Sequence, residues 1–293
     1  MNRKKVVLAS FIFASGILLN SCSKNDNLMG DGSQNSSTLN TPIQSDAVAD
    51  NIYTNLSASV ESDVLMLNLN NFQNLNMKSG NKDFPCKVIS IDHPDTNNYP
   101  KVITINYGSG CSVIFGDDTI TRSGKIIITT TNKLYIPGAQ YNIIFDNYRE
   151  NNVQVAGKFI VSFLGLNSAG NLEMTDSLIG GKLIINDTLT YTRNSVTTFE
   201  WYRAPDPFND TIFINGSMSG INSMGQNYNN VIAKTLKLVR CPELWQRWVI
   251  VDGQVVSTID STSTSTNYSS TGCVEYANIN NGNKMSHYRI RNH

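Results

Sequence analysis

The chain has 293 residues, with 23 Lys and Arg against 23 Asp and Glu, so its formal net charge is zero and only 16% of it is charged. No basic run or patch stands out, which excludes the electrostatic footprint of a nucleic-acid partner. The length is ample for a sizeable buried core, and the solvated surface must rest on Asn, Ser and Thr rather than on charge.

The first element is an address. Arg3, Lys4 and Lys5 form a basic start, and Val6 to Leu19 is almost unbroken apolar sequence. That run has the length of a signal-peptide core and falls short of the roughly 20 residues a spanning helix needs. It stops at Leu19, Asn20, Ser21 and Cys22, which resembles a bacterial lipobox. The resemblance implies a signal peptide over residues 1–21, cleavage before Cys22, and a diacylglycerol and palmitate-like acyl chains on that cysteine. Each buried CH₂ contributes about 0.8 kcal/mol, so several chains on one residue hold a protein to a bilayer. Loss of residues 1–21 leaves a formal charge of −3. Ser23 after the cysteine, by resemblance to sorted lipoproteins, favours the outer membrane, with the periplasmic and cell-surface sides both open. Residues 22–44 are rich in Ser, Asn, Asp and Gly and read as a flexible tether.

The next segment, residues 45–78, has a helical period at its start. Val48, Ile52, Leu56, Val60 and Val64 recur every four residues, and Ser45 or Asp46 suits the N-cap. Such a stripe wants a partner surface, so the segment is expected to dock on the rest of the body. Its last part, "LNLNNFQNLNM", alternates like a strand while following a helix, and both readings stay open.

Beyond Lys82 the period becomes two. In "KVITINYG" Val102, Thr104 and Asn106 share one face, and Ile103, Ile105 and Tyr107 the other. "GKIIITTTNKLYI", "QYNIIFDNY" and "VQVAGKFIVSFLGL" follow, divided by "PGA" and "RENN". Turns are expected at Asn186-Asp187, near Ser223 to Gly225, and at Asp252-Gly253. More than ten closely spaced strands without intervening helices predict a mainly β, antiparallel, sandwich-like body. It forms either one long unit or two small ones, 83–180 and 181–293, with the seam near Gly180-Gly181.

Once Cys22 carries lipid, Cys86, Cys111, Cys241 and Cys273 remain. An exported chain meets an oxidising compartment, so an even set favours disulfides. Of three connectivities, Cys86–Cys111 with Cys241–Cys273 is preferred, because each pair brackets a strand–turn–strand stretch. A four-cysteine metal site would normally show a C-x₂₋₄-C spacing, which these lack.

"YPKVITINYGSGC", "RSGKIIITTT" and "GAQYNIIFDNYRENNVQVAGKF", with the lipobox, the early helix and a second Cys-to-Gly-Cys segment, resemble a group of uncharacterised Bacteroidota outer-membrane lipoproteins. The resemblance covers most of residues 83–275 and implies a location and a β-rich ectodomain, but no catalytic residue.

Candidate sites are few. His93, His287 and His293 are the only histidines and show no paired spacing. "GSMSG" at 216–220 has Met218 where a nucleophile elbow has serine. Asp92, Asp95 and Asn97 offer oxygen ligands, but the loop lacks the closing Glu of a calcium site. Trp201, Tyr202, Trp245 and Trp248 are the aromatics able to stack on sugar rings, against a common role in core packing. Asp followed by Ser or Thr and an aliphatic residue recurs and resembles a Bacteroidota O-glycosylation acceptor, with Thr119, Ser177, Thr188 and Thr211 as acceptors. The expected role is non-enzymatic, a lipid-anchored envelope protein in a structural or interaction role, without cofactor or metal. Its partners are the membrane, through the anchor, and a glycan or another envelope protein. The alternatives are a glycan-binding surface lipoprotein assisting outer-membrane uptake and, behind it, a secreted hydrolase.

Overall fold

The computed structural model describes residues 86–92, 98–115, 118–133, 136–206, 209–241, 247–269, 275–280 and 285–290. The expected signal peptide, the expected tether and the 45–78 segment lie outside the described residues, as do Trp245, Cys273, His93 and His293.

The strands are β1 (Val88–Ile91), β2 (Lys101–Phe115), β3 (Asp118–Thr130), β4 (Gln140–Glu150), β5 (Val153–Leu166), β6 (Leu172–Ile185) and β7 (Leu189–Tyr202). They continue as β8 (Thr211–Ile221), β9 (Asn227–Cys241), β10 (Arg247–Ile259), β11 (Thr262–Ser269), β12 (Glu275–Asn280) and β13 (Met285–Ile290). All thirteen belong to one open antiparallel sheet in which each strand is hydrogen-bonded to the next in sequence. Gly180 and Gly181 sit inside β6, whose ladders to β5 and β7 run on both sides of them. The sheet is therefore continuous at Gly180-Gly181, the place where the seam of a two-unit body would fall.

Alternation decides which face is covered. Ile103, Ile105 and Tyr107 of β2, Ile126 and Ile128 of β3, and Phe159 and Phe163 of β5 are all buried on one face. Leu236 and Leu238 of β9 and Val255 of β10 continue the same cluster. The opposite face is mixed: Ile144, Leu164, Ile179 and Val196 are exposed on it, and between them register rows carry hydroxyls and amides. Gln140, Ser162, Thr175, Thr198 and Asn215 follow one another across five strands.

Tight turns obey local chemistry. Asn186 and Asp187 both take positive φ, and Thr188 N–H donates to Ile185 O at 3.1 Å. That is the type I′ geometry expected of a two-residue hairpin. Asp252-Gly253 is a different matter. The pair lies mid-strand in β10 at a register shift, and the hairpin forms at Asp260-Ser261 instead. The flanking β-branched residues keep both halves of the run in one strand, so the glycine supplies a bulge rather than a reversal.

Similar irregularities recur. Register shifts fall near Gly108, Gly124, Asn147, Gly157, Gly180, Gly216 and Gly253, all at positive φ. Bulges bend strands and increase their twist, so a sheet this wide curves rather than lying flat. At Gly124 an added Cβ would stand 2.2 Å from the Asn147 carbonyl oxygen, so no other residue fits.

Cys86 and Cys111 form a disulfide with Cα atoms 5.6 Å apart, as the spacing suggested. It fastens the four-residue edge strand β1, whose Ile89 and Ile91 pack on the core beside Ile105 and Ile103. The Cys241 side chain is not among those described. Removing the bridge with Cys86→Ser and Cys111→Ser is expected to lower stability by about 3 kcal/mol, since it closes a loop of 25 residues. Urea unfolding checks this; an unchanged midpoint would show that the β1–β2 ladder alone holds the edge.

Candidate functional site

Two clusters of polar side chains stand out, one at an end of the sheet and one within the covered face. The first is built by the β5–β6 turn. Asn167 accepts from the backbone N–H groups of Ala169 and Asn171 at 3.0 Å each, which shapes the turn. Its side-chain amide then donates to Glu200 at 2.8 Å and to Glu173 at 3.3 Å. Asn171 adds a second donor to the same Glu200 oxygen at 2.6 Å. Glu173 and Glu200 are direct cross-strand partners on β6 and β7. Like charges placed opposite one another are unfavourable, and the shared Asn167 amide offsets the repulsion. The donors from Asn171, and then Asn167, hold the Glu200 carboxyl below the usual glutamate range.

Next to Glu200 the strand ends in Trp201 and Tyr202. Trp201 is 1% exposed and packs into the covered face, between Leu172 and Ile212 by register. The Arg203 guanidinium stands 4.0 Å from the centre of its ring. A sugar cannot reach that ring without displacing strands, so Trp201 is a core anchor. Tyr202 is 46% exposed on the opposite face. Trp248 lies in β10 opposite Arg240, its side chain outside the described set.

The second cluster is buried beneath β2, β3 and β4. Arg122 donates through Nε to Glu150 Oε2 at 2.9 Å, and both side chains are under a tenth exposed. Tyr148 donates to the same oxygen at 3.3 Å and meets Tyr107 edge-on, with ring centres 5.8 Å apart. Burial opposes the Arg122 charge, yet Tyr148, Glu150 and Tyr107 together outweigh it and raise the guanidinium pKa. Burial, helped by Glu150 and Tyr107 and opposed by Arg122, pushes the Tyr148 phenol well above its ordinary value. Such a pair is costly to break, because each partner leaves an uncompensated buried charge. Its chemistry is that of a pin.

The remaining candidates are scattered. Asp92 is bound to the β2 backbone, accepting from Val102 N–H at 2.9 Å, while Asp95 and Asn97 lie outside the described residues. Met218 is buried in β8. His287 is placed only by its backbone, opposite Asn278. Of the Asp-Ser/Thr sites, Thr188 is exposed in the β6–β7 turn, beside an Asp187 whose carboxylate pairs with Arg149 at 2.5 Å. Asp176 and Asp210, preceding Ser177 and Thr211, are both 2% exposed. The Thr119 side chain is not described.

Among the described residues no group of three or more His, Cys, Asp and Glu could hold a metal ion, and no helix is long and apolar enough to cross a membrane. Sequence reading passed over Asn167, Asn171, Glu173, Arg122 and Glu150. Only the "NSAGN" turn signal was available for the first group; the second is visible once Arg122 is assigned to the inward parity of β3. No family model, curated protein or solved structure matches the chain.

The depressed Glu200 pKa fixes a sign. Its contribution to stability is present above the unfolded glutamate value and is lost as pH falls through the lower folded value. NMR titration is expected to place its midpoint below that of an ordinary glutamate, and Asn171→Ala to move it upward. An unmoved midpoint would mean that the amide contacts do not govern the carboxylate.

Proposed function

We propose that this chain is a lipid-anchored cell-envelope protein with a non-enzymatic role, presenting the uncovered face of its sheet for interaction or structural support. The observation that carries the reading is the order Arg3–Lys5, the apolar run and Cys22, followed by a polar tether. The sheet suits such a role: one face is spent on the core, and the other offers hydroxyl and amide rows interleaved with exposed Ile144, Leu164, Ile179 and Val196. The 45–78 segment, outside the described residues, is assigned to dock on the body through its Val48, Ile52, Leu56, Val60 and Val64 stripe. An outer-membrane position follows from Ser23 by the resemblance to sorted lipoproteins.

A second reading, glycan binding, draws on one place in the fold. Exposed Tyr202 adjoins Glu200, which the Asn167 and Asn171 amides hold ionised. An aromatic face beside an oriented acceptor is the pairing that recognises sugars. Trp248 belongs to a strand ending on the same side, by its pairing with Arg240. Of the modification sites whose side chains are described, Thr188 is the exposed one.

Membrane fractionation of the producing cell tests the anchor. The parent chain is expected in the envelope with acyl mass on its first residue, and Cys22→Ala in the soluble or uncleaved fraction. Equal and equally firm envelope association of the unlipidated variant would overturn the assignment.

A further inference from the structure

The covered face is apolar over β2 to β5, apart from its ends, but changes character over β6 to β10. There Asp176, Arg193, Ser195, Thr197, Asn222 and Asn230 are all buried. Two charged members bracket this region. Arg193 donates through Nε to the Tyr228 hydroxyl at 3.4 Å. Tyr228 in turn crosses Gly220, where a Cβ would lie 2.9 Å from its oxygen, to donate to Thr192 O at 3.0 Å. Asp176 stands on the other side, its carbonyl accepting from Thr197 at 3.4 Å.

Between them runs a single register row. Ser195 of β7 pairs with Met218 of β8, Met218 with Asn230 of β9, and Asn230 with Ser257 of β10. Ser195 Oγ, Asn230 Nδ2 and Ser257 Oγ are all covered and make no hydrogen bond. Ser195 and Asn230 are 3% and 2% exposed. One orphaned polar atom in a native interior needs an explanation; three along one register row call for a common one. Each left unsatisfied is destabilising, while an occupant offering hydroxyl groups satisfies all three at once.

We propose that this row is a binding site for small uncharged hydroxylic molecules, either a chain of ordered water or a glycerol-sized polyol. The donor set suits this chemistry. Asn230 Nδ2 donates and each serine hydroxyl can give or take, so an oxygen that accepts and can also donate, as a hydroxyl does, fits every member of the row. Arg193 and Asp176 bracket the row with opposite signs, so neither an anion nor a cation is selected. The spacing fits as well. Neighbouring strands lie about 4.8 Å apart, and one bridging oxygen spans about 5.5 Å between two partners. One molecule links Asn230 to Ser257, and two reach past Met218 to Ser195. Met218 is the flexible member, and its thioether can swing to make room. The row opens toward β11, where Ser257 and its partner Thr264 are partly exposed.

This inference stands on the sheet alone, so it survives or fails apart from the envelope assignment. The test uses isotope-labelled chain purified without polyols. Dipolar transfer from long-lived water to the Asn230 side-chain amide identifies water as the occupant. Its replacement by contacts from added glycerol, with a saturable shift of the amide signal, identifies the polyol. Asn230→Leu is expected to lower Tm by a few degrees, because it strips the occupant of a donor. Absence of both contacts at the Asn230 amide overturns the proposal. A Tm raised by Asn230→Leu or by Ser195→Ala overturns it equally, since that is the behaviour of empty orphaned groups.

Discussion

The whole structure depends on an uninterrupted backbone ladder joining thirteen strands in chain order. Side chains on a strand alternate strictly, so consecutive pairing carries one parity of residues onto a single face and the other parity onto the opposite one. A slip of one residue in β3 would turn Ile126 and Ile128 outward and bring Lys125 and Thr129 inward. The bulges at Gly124, Gly157 and Gly253 shift the register while keeping the inward set inward, so curvature is gained without losing the pattern.

An open sheet leaves two edges, and edge strands invite unwanted pairing. On one side the edge is β1, four residues long, fixed by both a ladder and the Cys86–Cys111 bridge. The bridge reaches the covered face, because Cys111 is fully buried next to Arg122 by register. Disulfide, Arg122–Glu150 pair and the Tyr107–Tyr148 contact thus lie within one small region of β2 to β4. That region trades apolar packing for directional contacts, which hold one arrangement where bulges have loosened the ladder. At the opposite pole of β6 and β7, the Asn167 turn does comparable work for Glu173 and Glu200. In both places a carboxylate accepts from two side chains, Arg122 and Tyr148 on Glu150, Asn167 and Asn171 on Glu200, and neither arrangement brings a nucleophile to a base.

Much of this was legible in residue order. The period of two in "KVITINYG", the turn residues at Asn186-Asp187 and the Pro137-Gly138 punctuation report local backbone preferences, and the strands formed where those preferences agreed. Asp252-Gly253 was misleading because its dipeptide favours a reversal while the run on each side favours extension, and the extended run prevailed. Trp201 was open to both readings, sugar platform and core packing, because aromatic character is visible in sequence while the face it occupies is not. It shares the parity of Phe199 in β7, and the register with β6 sets it opposite buried Leu172.

Residue order by itself determined the antiparallel β character, the Cys86–Cys111 pairing and the alternation within each strand, since these rest on neighbours close in the chain. Only tertiary structure decided that the strands make one sheet across Gly180-Gly181, that Trp201 is interior, and that Ser195, Asn230 and Ser257 share a line. Those facts depend on which strands lie side by side and in what register. The free energy that selects them comes from burying one face across many strands at once, which no short stretch can report.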